Sequence, residues 1–407
     1  MQLTVCVQEA QVRLRLDLEP SVGLGLPAVT DVEDGASLTH RLEHWAERYR
    51  RATPRNDREA LVSIGSEIYT WLSQGNDLTR KWTQREDRRF EVLPCDGSAP
   101  ELEDALYKLP WELLHEKGFL AQNLNNPLIV SRRVAPESAG SVRSPKHGDL
   151  RMLFMAAAPE GQNELDYEAE EVAILDATQG ATGSTLVHLM VEESGALDYL
   201  AERLDGSDGD YEILHLSCHG DILAPVDQNT GKREGVARPI LSLEQPEGGA
   251  HEVTATDLFT GCSRAMPPLV FLSACTTAQD GGDQAMRGAG NFKRDAASDP
   301  FKRASASDQS QALAEPFAKE LAKNVPNVLG WDGSVFDHDA TDFARDLYHQ
   351  LGRGTDLPLA AASARATLFN QQANDPERGR HWHLARLYLG RVVVAAFAIV
   401  RSPNGKQ

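Results

Sequence analysis

With 407 residues and a formal net charge of −19, the chain can bury a sizeable core but carries no basic field to attract nucleic acid or an anionic membrane surface. Its five cysteines, Cys6, Cys95, Cys218, Cys262 and Cys275, are odd in number and irregularly spaced, which argues against a disulfide scaffold and for a reducing, cytoplasmic setting. No signal peptide is visible at Met1-Gln2-Leu3-Thr4, and the most apolar run, Val392–Val400, is half a membrane span and reads as a buried strand.

Residues 3–18 alternate, with Leu3, Val5, Val7, Val12, Leu14, Leu16 and Leu18 apolar, and predict a hairpin of half-buried strands. Ser37 can cap a helix that places Leu38, Leu42, Trp45 and Tyr49 on one face. Leu61, Ile64, Ile68 and Leu72 recur at helical spacing in a second helix. Leu109-Pro110-Trp111-Glu112-Leu113-Leu114 and Pro127-Leu128-Ile129-Val130 are further apolar segments. The Pro-, Ser- and Gly-rich stretch from Ala135 to His147 has no periodicity and predicts a boundary. Residues 1–145 are therefore expected to form an α+β accessory region, and 146–402 a second domain.

Past Asp149 the grammar becomes alternating strand and helix. Buried strands are predicted at Arg151–Ala157, Thr185–Val191, Ile213–Cys218, Leu269–Ala274 and Val325–Leu329. Helices are predicted at Asp166–Thr178 (Tyr167, Val172 and Leu175 inward), after Ser194, at Thr254–Phe259, up to Gly352, and over Pro358–Asn370. Such a series implies an α/β fold with a mostly parallel sheet covered on both faces. Residues 279–310 interrupt it with glycines, Asp, Ser and basic spots, a functional or unstructured insertion.

Two strands carry the chemistry. Tyr211-Glu212-Ile213-Leu214-His215-Leu216-Ser217-Cys218-His219-Gly220 delivers His219, and Pro267-Pro268-Leu269-Val270-Phe271-Leu272-Ser273-Ala274-Cys275 delivers Cys275. Sites in open parallel sheets lie beyond the carboxyl ends of the strands, where both residues fall. If the strands are neighbours, the His219 imidazole can take the Cys275 proton or hold the thiolate as an ion pair. Gly220 permits a sharp turn after its strand, and its N–H with that of Cys275 can form an oxyanion hole. The competing reading of a lone cysteine is a buried core thiol. The pairing of two such strand ends, 56 positions apart with the histidine first, favours a dyad.

These two strands resemble the signature strands of the CHAT peptidases, caspase-like cysteine proteases in the clan of caspases, separases and gingipains. Leu109–Leu114 resembles the segment before that family's catalytic domain, and Val328-Leu329-Gly330-Trp331-Asp332 the strand after the nucleophile. The likeness covers about residues 100–400 and implies a caspase-like α/β/α sandwich with His219 as base and Cys275 as nucleophile. Cys218, the long insertion and the lack of tetratricopeptide repeats depart from the pattern. By resemblance to separases, Asp332 would line the S1 pocket and select a basic P1 residue; the alternative is that it caps a turn. A basic P1 preference makes Arg287, Arg294 and Arg303 candidate self-cleavage sites. The resemblance further implies an enzyme latent until triggered by an activating sensor, in a bacterial defence or regulated-death pathway, with protein substrates and no cofactor. A catalytically silent interaction scaffold is the runner-up, and an acyltransferase or deamidase using the same dyad the third reading.

The remaining constellations are weaker. His215, Cys218, His219 and Cys262 lack the spacing of a zinc site, and His251-Glu252 lacks a second histidine, so no metal is expected. The glycines at 281–290 are not followed by a phosphate-loop lysine. His381-Trp382-His383 reads as support for a C-terminal strand, and the acidic cluster Glu168–Glu171 as a solvated helix N-terminus.

Overall fold

A computed structural model describes residues 1–33, 35–94, 96–134, 150–160, 162, 165–178, 187–206, 210–225, 233, 235, 237–246, 248–262, 266–274 and 316–390. The boundary stretch, the insertion at 279–310 with its three arginines, Cys275 and the run Val392–Val400 lie outside the described residues.

The N-terminal alternation folds into a hairpin. β1 (Gln2–Gln8) pairs antiparallel with β2 (Gln11–Leu16), with Val5 opposite Leu14, and β3 (Val22–Gly23) adds to β2. Leu18, expected to alternate inward, is 99 % exposed, because β2 ends at Leu16 and Asp17 takes a left-handed backbone. Helix α1 (Leu38–Ala52) begins at Ser37, whose hydroxyl accepts from the His40 N–H. Such a cap contributes about 1 kcal/mol. Helix α2 (Arg58–Ser73) begins at Asp57, which accepts from the Ala60 N–H. Both helices bury the apolar faces their spacing foretold. Then come α3 (Leu78–Thr83), β4 (Arg89–Val92), α4 (Pro100–Lys108) and β5 (Ile129–Arg133). Strand β4 has no sequence signal of its own, since two of its four residues are charged.

The second half alternates as expected: β6 (Leu150–Ala156), α5 (Tyr167–Thr178), β7 (Val187–Glu192), α6 (Leu197–Asp205) and β8 (Ile213–Ser217). Three strands that the spacing did not reveal follow, β9 (His219–Leu223), β10 (Arg238–Glu244) and β11 (Ala250–Val253). They form a separate antiparallel sheet in the order β11-β10-β9. Next are α7 (Ala255–Cys262), β12 (Leu269–Ser273), the unforeseen α8 (Phe317–Leu321), β13 (Asn327–Trp331), α9 (Asp337–Gly352), α10 (Leu357–Gln371) and β14 (Ala385–Leu389).

Among the described residues, eleven strands make one sheet in the order β3-β2-β1-β4-β5-β14-β13-β12-β8-β6-β7. The block β13-β12-β8-β6-β7 is parallel throughout. Antiparallel β14 joins it to parallel β5 and β4, so the strands of the expected accessory region extend the same sheet. Every residue of β8 and β12 is buried, which requires cover on both faces and explains their unbroken apolar runs. The result is an α/β/α sandwich with a mostly parallel sheet. Helices α5 and α9 pack side by side, with α10 against α9, and α6, α7 and α8 pack in succession. The next two strands in the chain, β7 and β8, fall on opposite sides of β6, so the chain reverses direction across the sheet there. The carboxyl ends of β6 and β8 flank that switch point, where open α/β sheets place their sites.

Candidate functional site

Strands β8 and β12 are parallel neighbours in a register that pairs Ser217 with Ser273. Both strands end at that pair, and the Cys218 N–H donates to the Ser273 carbonyl at 3.4 Å, so the chains are still side by side past the strand ends. Neighbouring strands lie about 4.8 Å apart. His219 follows Ser217 by two positions and is half-buried. It opens β9 opposite Ser242. Gly220 does not make the sharp turn expected of it: the chain passes directly into β9, where Gly220 pairs with Leu241. The structure thus brings the two candidate strands together at one edge, while Cys275 itself lies beyond the last described residue of its strand.

Beneath that edge lies a polar cluster that sequence reasoning missed. The Glu170 carboxylate on α5 accepts from Ser217 Oγ at 2.7 Å and from Ser273 Oγ at 2.8 Å. His215 Nε2 lies 3.3 Å from the same carboxylate, and His215 Nδ1 lies 2.8 Å from the Tyr348 hydroxyl on α9. All five side chains are buried. Burial alone would raise the Glu170 pKa, but His215 and the Ser217 and Ser273 hydroxyls outweigh it and hold the carboxyl below its ordinary value. Glu170 is therefore not part of a solvated helix start. Its phase on α5 puts Glu170, Ile174 and Thr178 inward at successive four-residue steps and leaves Val172 56 % exposed, contrary to the expected Tyr167–Val172–Leu175 face. A signal that could have pointed to it is the pair of serines, each two positions before a candidate dyad residue and each needing a buried partner.

The floor of the cluster is aromatic. His215 packs between Phe154 (centroids 5.1 Å apart) and Phe271 (4.8 Å, edge-on), and Phe343 joins Phe271 to Trp331. These contacts and the Glu170 and Tyr348 partners occupy His215 structurally. Cys218 is buried, and the Cys262 thiol is pushed up to about 12 by burial and by Asp205. Among the described residues no group of three or more His, Cys, Asp or Glu side chains is placed to hold a metal ion.

Asp332 follows β13 at the same edge of the sheet and is buried. Its carboxylate is ion-paired with Arg386 on β14, and its N–H donates to the Leu384 carbonyl. The Arg386 guanidinium also lies over the Tyr49 ring, 5.9 Å from its centroid. Tyr49 in turn bonds His383 Nδ1 at 2.9 Å, and His381 Nδ1 bonds Asp339 at 2.8 Å. The His381–His383 segment thus anchors the entry to β14, as its spacing predicted.

The Leu109–Leu114 segment earns its sequence by burial. Leu109, Trp111, Leu113 and Leu114 are fully buried, and Glu112 makes a two-pronged pair with Arg132 on β5, at 2.7 and 3.0 Å. Arg132 also donates to the Tyr107 and Leu109 carbonyls. Desolvation would raise the Glu112 carboxyl, but Arg132 overrides it and lowers it to about 2. Among the described residues no helix is long and apolar enough to cross a membrane.

The sequence matches the CHAT domain family over residues 99–402. Comparison with curated proteins gives no match. Among solved structures, the Saccharomyces cerevisiae separase–securin complex aligns at 12% identity and a TM-score of 0.39, covering 83% of this chain and 19% of that one. The chain thus spans about a fifth of separase. The Arg-specific cysteine proteinase gingipain R aligns at 10% identity and a TM-score of 0.40, covering 82% of this chain and 67% of that one. At such scores neither supports an inference about this chain.

Proposed function

The chain belongs to the CHAT domain family, and from that premise we propose that it is a cysteine endopeptidase with Cys275 as nucleophile and His219 as general base. The observation that carries this reading is the register of β8 and β12, which end together at Ser217 and Ser273, two positions before the two residues. In the proposed reaction the Cys275 thiolate attacks the scissile carbonyl carbon and forms a C–S bond. The oxyanion is held by backbone N–H groups, those of Gly220 and Cys275, a contribution typically worth about 3 kcal/mol per donor. Collapse breaks the C–N bond, and protonated His219 gives its proton to the leaving amine. Water, deprotonated by His219, then hydrolyses the thioester and restores the thiol.

The finer parts of the proposal follow from the resemblance to the CHAT and separase peptidases. Asp332 selects Arg or Lys at P1, which requires its carboxylate to serve both the substrate and Arg386. The enzyme is latent in the cytoplasm until a sensor protein triggers it in a defence or regulated-death pathway. Arg287, Arg294 and Arg303 are its self-cleavage sites. Wild type and Cys275→Ala incubated with casein and a lysate of the source cells, which supplies the trigger, followed by N-terminal sequencing of the casein fragments and of the enzyme itself, test these together. The expected result is cleavage after Arg or Lys, in casein and at those three positions, by the wild type alone. Equal fragments from both proteins would overturn the peptidase reading. Cleavage after acidic residues would overturn the role of Asp332 alone.

A further inference from the structure

We propose that Glu170 is a positioning residue that ties the carboxyl ends of β8 and β12 together and so fixes the spacing of His219 and Cys275. The inference rests on the dyad reading and adds a part to it. Two parallel strands are held along their length by backbone hydrogen bonds, but the ladder stops where the strands stop. Past the strand ends the Cys218 N–H reaches the Ser273 carbonyl at 3.4 Å, at the long end of the hydrogen-bond range. Glu170, on α5, adds a side-chain restraint at that point. Its two carboxylate oxygens divide between the strands: Oε2 accepts from Ser217 and Oε1 from Ser273. One rigid, planar group thereby sets the separation of two serines, each two positions before a dyad residue.

The geometry is that of a clamp rather than of a chance buried acid. Both contacts are short, charge-assisted bonds from neutral hydroxyls to an ionised acceptor, in a site without water access. The clamp is itself held. His215, two positions before Ser217 on β8, brings Nε2 to 3.3 Å from one carboxylate oxygen, and the Tyr348 hydroxyl on α9 holds the His215 ring through Nδ1 at 2.8 Å. Helix α5 packs along α9, so the element bearing Glu170 and the element bracing His215 are one unit. A dyad works only when its two groups sit within hydrogen-bond reach, and a shift of about 1 Å can cost on the order of a hundredfold in rate.

The test reads the reactivity of one thiol. Wild type, Glu170→Gln, Glu170→Ala, Ser273→Ala, His219→Ala and Glu112→Gln are alkylated with iodoacetamide from pH 5 to 9, and labelling of Cys275 is followed by peptide mass spectrometry. Glu170→Gln keeps the size of the side chain but replaces one acceptor oxygen with a donor. Ser273→Ala cuts one arm and keeps the charge, so a folded variant is available if the Glu170 changes unfold the protein. Glu112→Gln serves as a control destabilised elsewhere, beyond β12, β13 and β14 on the sheet. The expected result is a Cys275 labelling midpoint in the wild type below that of an ordinary thiol, about 8.5, and lost in His219→Ala. Glu170→Gln and Ser273→Ala are expected to move the midpoint up towards the His219→Ala value and to slow labelling at pH 6.5 by about tenfold, while Glu112→Gln matches wild type. A profile in Glu170→Gln and Ser273→Ala that matches wild type, with His219→Ala displaced, would overturn the clamp and leave the dyad standing. A wild type that already matches His219→Ala would overturn the dyad, and the clamp with it.

Discussion

The buried Glu112–Arg132 pair gives the sharpest energetic prediction. The perturbation is Glu112→Gln, which keeps the shape and removes the charge. Glu112 is fully buried and its carboxyl is lowered from an ordinary value of 4.5 to about 2. Each pKa unit corresponds to about 1.4 kcal/mol, so the ionised form stabilises the fold by about 3 kcal/mol at neutral pH. Breaking a buried pair typically costs about 3–5 kcal/mol, because the other charge is left without compensation. The folded-state pKa is depressed, so this stability is fully present above pH 4.5 and is lost as the pH falls towards 2. Urea unfolding followed by tryptophan fluorescence reads it. With a slope of about 3 kcal/mol per molar, reasonable for a chain of this size, the midpoint should fall by about 1 M at pH 7. Between pH 5 and pH 2 the wild-type midpoint should fall more steeply than that of Glu112→Gln. Arg132→Met should cost more than Glu112→Gln, since it also strands the carbonyls of Tyr107 and Leu109. Parallel pH slopes, or a neutral-pH shift under 0.3 M or so, would refute the reasoning.

Three further outcomes are expected. A Cβ on Gly65 of α2 would lie 1.9 Å from the Leu113 carbonyl oxygen. Gly65→Ala should therefore lower the melting temperature, although Gly to Ala in an open helix would raise stability by about 1 kcal/mol; a raised melting temperature would refute the close contact. Burial lowers His383 to about 3, with His381 and Arg386 adding repulsion that Glu112 only partly offsets. Its neutral ring should not titrate between pH 8 and 5 by NMR, and the fold should lose stability as pH drops from 6.5 towards 3, whereas a midpoint near 6.5 would contradict its burial. Cys262, raised to about 12, should remain unlabelled by iodoacetamide at pH 8 in the native protein, and appreciable labelling would contradict the burial that raises it.

Much of the fold was legible because burial on both faces leaves unbroken apolar runs. β6, β8, β12 and β13 were each visible within about two residues. So were α9, which ends at Gly352, and the Ser37 cap. What escaped was structure that depends on partners distant in sequence. β4 is defined by pairing with β1 and β5 rather than by its own four residues. The β9–β11 sheet is half-polar, and its continuity with β8 replaces the turn expected at Gly220. Glu170 escaped because helical phase was assigned from apolar residues alone. The inward face of α5 is set in part by a carboxylate that binds two serines, Ser217 and Ser273, on different strands. Asp332 was recognised as a candidate from its motif, but its pairing with Arg386 joins residues more than fifty positions apart.

The central claim is that Cys275 and His219 act together on peptide bonds. Its most direct test is the mapping of new protein N-termini in cells expressing wild type, Cys275→Ala or His219→Ala at matched levels, where any natural trigger is present. The account predicts termini preceded by Arg or Lys in wild-type cells and their absence in both variants. The same set of termini in all three would contradict it.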